Sequence, residues 1–429
     1  MRGSEEGGVT AALYPGMPAD ARPLAPVVAR QTEARTTSSS GAAFWTAAGL
    51  LLLALAASGA PTPLYRVYAE RFGFGPGTLT VVFGVYALAL LASLLTVGKL
   101  SDHIGRRPVL AAGLTLMAAA MGTFLLADGV AGLLVARVVQ GLSMGALTGT
   151  LGAVLLDTQR TVRPLGPLVN SSAPGLGIGL GSAGAGLVVE LSADPASWVF
   201  AVLGIALVMA AGSVALLPET SPRAPGWQAS LRPSVRVPAR QRPAFLRALP
   251  VLVAAWALAG LYLSLGPSLL PAVFGVDDHL VGSLLVLAMQ GSVALGAVVN
   301  RDLAPDRAMV GGSLVFAISV AGTVLALQTG QVVVLFGCAV ASGLAFGAVF
   351  VGAVTTTTAG VVPAERAGLL SAVFVVGYLA FCLPAVVAGS LASAFGLAPV
   401  AEGYAAVVVV LSVLAAVVFR RSTRTQRPG

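Results

Sequence analysis

Histidine and cysteine are nearly absent from this sequence, two of each among 429 residues. Cys338 and Cys382 are too few for a disulfide framework, and so thin a supply of soft ligands speaks against a metal centre. Charge is equally scarce. Asp, Glu, Lys and Arg together make up 10% of the chain, against about a quarter in a soluble domain, which removes a water-soluble globular protein from consideration. No G-x-x-x-x-G-K-[ST] segment occurs, so the chain has no phosphate-cradling loop for ATP, and no cofactor is expected.

Hydrocarbon fills the space. Hydrophobic residues account for 57% of the chain and the mean hydropathy is +0.91. Apolar runs of roughly 18 residues or more are long enough to cross a bilayer as helices. Twelve occur, at about 43–61, 79–97, 108–127, 130–155, 168–189, 197–217, 248–272, 280–299, 308–327, 331–354, 367–391 and 399–419. A transmembrane barrel would show alternating segments about half that length, and the sequence has none. The fold class predicted is an all-α membrane protein of 12 transmembrane helices.

A net charge of +8 is an electrostatic footprint compatible with nucleic acid, but its placement argues for a bilayer. With the N-terminus inside and the helices alternating, 22 of the 25 cations fall on the cytoplasmic side, 2 outside (Arg66 and Arg71) and 1 within a helix (Arg137). That asymmetry is what the positive-inside rule requires. It predicts a multi-pass protein of the cell membrane with both termini cytoplasmic. Residues 1–40 are rich in Pro, Ser, Thr and Gly without a basic segment leading into an apolar core, and are read as a disordered cytoplasmic tail and not a signal peptide. Residues 218–247 alternate proline with arginine and divide a six-helix unit (41–217) from a second one (248–419), with a short tail at 420–429. His103 and His279 then fall on opposite sides of the membrane, so they can neither share a metal nor build a catalytic constellation, and an enzyme is not expected.

The most specific local signal is the polar turn Gly98-Lys99-Leu100-Ser101-Asp102-His103-Ile104-Gly105-Arg106-Arg107-Pro108 between the second and third runs. It resembles the pattern G-x-L-[AS]-D-x-x-G-R-[RK]-x of the major facilitator superfamily. The resemblance implies two pseudo-symmetric six-helix bundles working by alternating access. It also implies that Gly98, Asp102, Gly105, Arg106 and Arg107 form a latch clamping the two halves on the cytoplasmic side when the protein is outward-open. The alternative is a plain positive-inside turn, to which the aspartate and glycines would add nothing. A shift of 200 residues brings Asp102 onto Asp302 and Arg107 onto Arg307, a trace of internal repetition; the glycines and Arg106 have no counterparts there.

Arg137 lies about seven residues into the fourth run, where an ionisable side chain is a functional hypothesis by default. Arg137-Val138-Val139-Gln140-Gly141 resembles the family's R-x-x-Q-G motif, associated with proton coupling in drug antiporters; the structural alternative is an arginine snorkelling to the surface. Arginine keeps its proton, so Arg137 with Gln140 would tune a neighbouring group. No Asp or Glu occupies the middle of a span; Glu190, on the next helix, is the candidate proton carrier, its alternative being a solvated helix end. The fifth run holds Gly177, Gly181 and Gly186 in register with the antiporter motif G-x-x-x-G-P-x-x-G-G, but Ser182 replaces its proline and Ala185 a glycine.

Glycines four apart, Gly141 and Gly145 with Gly149, and Gly343 with Gly347, predict close helix packing in lipid. By the family's architecture, helices one, four, seven and ten line the cavity. Their polar candidates are Ser58, Thr62, Ser143, Trp256, Tyr262 and Ser264, with Thr46, Thr148 and Ser342. So apolar a lining suits lipophilic, including cationic, small molecules better than sugars or phosphates. Tyr65, Tyr68 and Tyr86 are read as interfacial belt residues. The function expected is proton-coupled export of such a compound by a monomer. The alternatives are an uptake permease of the same fold and, further off, a non-transporting receptor or scaffold.

Overall fold

The computed structural model describes residues 25–159, 165–221 and 223–425. Arg160, Arg163 and Pro222, like residues 1–24 and 426–429, lie outside the described residues. Twelve helices long and apolar enough to cross a membrane are present among those described, and helix is the form in which a chain satisfies its own backbone in hydrocarbon.

The first, α1, runs Ala25–Gly59 and resumes after Ala60 as Pro61–Phe72. It begins inside the segment read as an irregular tail and extends past the predicted end at residue 61. Pro61 and Pro63 do not stop it, because Pro61 opens a new first turn, where a missing N–H costs nothing. Arg66 and Arg71, expected in a loop, therefore sit on the helical extension, which ends at Gly73 with φ +66°. There follow α2 (Pro76–Val97), α3 (Arg106–Leu125), α4 (Val130–Thr158), α5 (Gly166–Leu191) and α6 (Pro195–Ser213). The second half holds α7 (Arg242–Ser264), α8 (His279–Val299), α9 (Pro305–Thr329), α10 (Val332–Thr358), α11 (Pro363–Phe395) and α12 (Leu397–Thr425). Beyond α7 the chain turns at Leu265 into a short helix, Gly266–Leu269, and a π-turn, Leu270–Phe274.

Small residues set the packing, as the glycine spacing predicts. A Cβ at Gly141 would lie 2.5 Å from the Tyr86 carbonyl oxygen, one at Gly145 2.5 Å from that of Leu90, and one at Gly149 3.0 Å from that of Gly98. The stripe thus seats α4 along α2 down to the polar turn. Gly343 and Gly347 seat α10 on α8 against Met289 and Val293, the same pairing six helices later. The two halves meet through α5 with α8 and α2 with α11. Along α5 the glycines divide between two neighbours: Gly177 and Gly181 press on Leu55 and Ala56 of α1, while Gly175, Gly179 and Gly186 press on Gln290, Leu287 and Ser283 of α8.

Candidate functional site

Arg137 is 1% exposed, on the α4 face turned into the first bundle. Its guanidinium lies 4.9 Å from the ring centre of Tyr65 on α1, 5.1 Å from that of Tyr86 on α2 and 5.7 Å from that of Phe124 on α3. One terminal nitrogen donates to Tyr65 Oη and the other to Gln140 Oε1. Gln140 Nε2 in turn donates to the Ala57 carbonyl at 2.9 Å, anchoring the nest to α1. Arg137 Nε is buried without a partner, and no carboxylate pairs with this cation among the described residues. A desolvated guanidinium is tolerated here by three π faces and two hydrogen bonds. Snorkelling is not what happens. Tyr65 and Tyr68 are 2% exposed and Tyr86 8%, so the belt reading of the tyrosines is corrected: the buried cation draws two of them inward, and Tyr68 Oη donates to the Phe124 carbonyl.

Glu190 does not meet Arg137. It closes the side of the molecule opposite the 218–247 linker, where its Oε1 accepts from the His279 backbone N–H at 2.7 Å and lies 3.4 Å from His279 Nδ1. A carboxylate of the first half thereby caps the N-terminus of α8 in the second, where the helix dipole favours it. Arg66 of the first half pairs with Asp277 just before α8, and with Glu70 at 3.2 Å. Sequence reasoning missed Arg66, Asp277 and His279; the one signal was that Arg66 is one of only two cations assigned to that side.

On the linker side, Asp102 pairs with Arg106 at 2.5 Å, and Arg106 reaches Ser101 Oγ at 2.6 Å and Asp157 at 3.4 Å. Arg107 donates to the Ala215 carbonyl at 2.7 Å. Among the described residues no ion pair runs from this turn into the second half. The organiser of the turn is Glu219, which sequence reasoning passed over, although it is the lone carboxylate in an arginine-rich linker. Its Oε1 accepts from the Arg106 N–H at 2.8 Å and its Oε2 from that of Arg107 at 3.2 Å, capping α3 from beyond α6. Gly105 is required twice over. Its φ is +112°, and a Cβ there would lie 2.6 Å from Glu219 Oε2. Burial by itself raises the Glu219 carboxyl, but hydrogen bonds from the Arg106, Ser221 and Arg107 backbones, with the Arg223 charge, hold it below its ordinary value. A lowered folded-state pKa means the stabilisation is present above the ordinary carboxylate range and lost as pH falls through the lowered value. Glu219→Gln is expected to lower the hydrogen-exchange protection factors of the Arg106 and Arg107 amides at neutral pH to the level the unaltered protein shows only in acid, each corrected for intrinsic exchange at its pH.

Asp302, matched to Asp102 by the 200-residue shift, pairs with its neighbour Arg301 at 3.2 Å and not with Arg307. The repeat is visible in helix packing and absent from the charges.

Trp256, expected to line the cavity, sits at the centre of an aromatic cluster. Its ring meets Phe346 and Phe350 of α10 and Tyr378 and Phe381 of α11 at 5.0–6.3 Å between centres. Phe381 continues to Phe83 of α2 at 4.8 Å, so the cluster crosses between the halves. Trp256 Nε1 is buried and unpartnered. Ser143 and Tyr262 are corrections. Ser143 donates to the Gly113 carbonyl on α3 at 2.8 Å, and Tyr262 faces Thr323 of α9 at 3.5 Å, each inside its own bundle. Ser58 and Ser264 donate to carbonyls one turn back, Ala54 and Gly260, as hydroxyls deprived of water do; Thr62 is buried at 3% exposure. At the linker side a cavity of about 690 Å³ opens between the halves, walled by Leu168 and Ser171 of α5, Ala297 and Arg301 at the end of α8, and Phe350 and Thr355 of α10. Contact between the halves on one side and a cleft on the other describe a molecule open toward its linker.

Residues 47–385 match the family model described as Major Facilitator Superfamily. Multidrug resistance protein MdtL of Escherichia coli, in strain ED1a of O81 and strain DH10B of K12, is 27% identical over 267 residues, 60% of this chain. The match spans 66% of MdtL, just under two thirds of its length. Two structures share the fold. A bacterial homolog of the human lysosomal transporter Spinster, inward-facing and unoccupied, has a TM-score of 0.68 at 18% identity, over 90% of this chain and 97% of that one. A variant of the nucleoside transporter NupG has a TM-score of 0.69 at 16% identity, over 88% of this chain and all of the other.

Proposed function

Because this chain belongs to the major facilitator superfamily, we propose that it exports small lipophilic compounds, cations among them, in exchange for protons, with both termini and the 218–247 linker in the cytoplasm. The observation that carries this reading is the guanidinium of Arg137, buried in an aromatic nest with no carboxylate among the described residues to neutralise it. So costly an arrangement is kept for function and not for stability. A fixed positive charge makes a proton and a cationic substrate compete for the same electrostatic room, and that mutual exclusion is what exchange needs. The aromatic wall around Trp256 supplies π faces for the substrate, and the cleft on the linker side its way in from the cytoplasm. The likeness to multidrug resistance protein MdtL supports this substrate class.

Alternating access then has two closures. Glu190 with His279, and Arg66 with Asp277, hold the outer side in the present state; the Asp102 turn holds the inner side in the other. Asp102→Asn is expected to slow turnover several-fold with substrate affinity retained, since it loosens the Asp102–Arg106 pair that shapes the latch turn and leaves the substrate's surroundings untouched. Unaltered turnover would remove the latch. The export reading itself is tested in inverted vesicles carrying a proton gradient. Amphiphilic dyes and antibiotics should collapse the gradient with this protein present and not without it. Silence toward every compound class from folded, inserted protein would overturn it.

A further inference from the structure

On the linker side the carboxylates near the 98–108 turn are all engaged. Asp102 pairs with Arg106; Asp157 holds Arg106 and accepts from Thr220 Oγ1 at 2.8 Å; Glu219 caps α3 and lies 3.8 Å from Arg223. Beside them is a cavity of about 680 Å³ between the turn, which contributes Lys99 and His103, and linker residues that include Ser230, Arg232 and Arg236. Three permanent cations line it, and no carboxylate does. None of the Lys99, Arg232 and Arg236 side chains has a hydrogen bond or ion pair among the described residues, in contrast to Arg106 and Arg223 nearby. His103 Nδ1 lies 2.9 Å from the Ala224 carbonyl and ties the turn to the linker. Positive-inside topology accounts for cations on this side of the membrane. It does not account for their convergence on one hollow whose lining holds no carboxylate.

We infer that this cavity binds a phosphate group, free or in the headgroup of an anionic lipid, through Lys99, Arg232 and Arg236. Arginine's planar fork matches phosphate oxygens, and a basic hollow at a membrane surface is where lipid phosphate gathers. Binding would also bridge the halves. Lys99 belongs to the first, whereas the Arg236 backbone N–H donates to the Gly368 carbonyl on α11 at 3.1 Å, and Gln241 Nε2 to the Ala359 carbonyl just after α10 at 3.4 Å. A bound phosphate therefore ties the latch turn to linker docked on the second half and favours the state described here.

The test uses the purified full-length chain. Inorganic phosphate is titrated in detergent at ionic strength matched with chloride, and phosphatidylglycerol is added to phosphatidylcholine nanodiscs, with thermal unfolding as the readout. A saturable rise in melting temperature with inorganic phosphate identifies the free anion; a rise with phosphatidylglycerol alone identifies the lipid. In either case the exposed pair Arg232→Gln/Arg236→Gln should weaken the apparent affinity about tenfold or more, and Arg240→Gln, outside the cavity, should leave it unchanged. No saturable response to either probe, or an equal response from the double variant, overturns the site.

Discussion

Replacing Arg137 with alanine is expected to reduce proton-driven transport about 100-fold, the scale of a proton carrier's pKa moving by about two units when a fixed neighbouring cation is removed, while folded protein stays at its usual abundance. Two opposing terms make abundance insensitive. Alanine removes cation–π contacts worth about 2 kcal/mol where desolvated, and leaves Tyr65 Oη and Gln140 Oε1 short of a donor at about 1–3 kcal/mol. It also removes a buried unpaired charge whose desolvation costs several kcal/mol. Arg137→Lys should not rescue coupling, because an ammonium cannot reach Tyr65 and Gln140 together from one planar group. The informative measurement is paired: substrate exchange at equal pH on both sides, and uptake driven by a pH gradient. Loss of the second with the first retained supports a coupling role. Equal loss of folded protein would reduce Arg137 to a packing residue.

Gly181→Val is expected to destabilise the protein by about 3 kcal/mol or more, at the upper end of overpacking costs, whereas Gly184→Ala, three residues along the same helix, should be neutral or slightly stabilising. The difference is geometric. A Cβ at Gly181 would run into the backbone carbonyl of Ala56 on α1, which cannot move without its helix, while a Cβ at Gly184 meets nothing within 4 Å. In lipid no hydrophobic gain offsets separating α1 from α5, since the tails are as apolar as the side chains. Melting curves in detergent for the two variants check this. Equal destabilisation would mean that the helix interior and not the α1 contact sets the need for glycine.

The same contrast shows what was legible beforehand. Twelve crossings, the interrupting linker and the glycine stripes of α4 and α10 follow from length and period alone, which are local properties of the chain. The polar turn was also recognisable as a unit, with Asp102 four residues from Arg106 across Gly105. Its organiser was not, because Glu219 lies 113 residues from the amide it caps. Helix number does not say which residues face a cavity: the way a helix faces depends on its neighbours, and Ser143 and Tyr262 turn into their own bundles.

Sequence by itself determined how often this protein crosses lipid and which helix faces are narrow enough for close approach. These are set by hydrocarbon length, charge placement and the absence of a side chain. Only the tertiary structure decided that Tyr65, 72 residues away, cradles Arg137, and that Glu190 holds a helix beginning 89 residues later. A buried charge takes whatever π faces and donors the fold carries to it, and a local pattern holds no record of which those are.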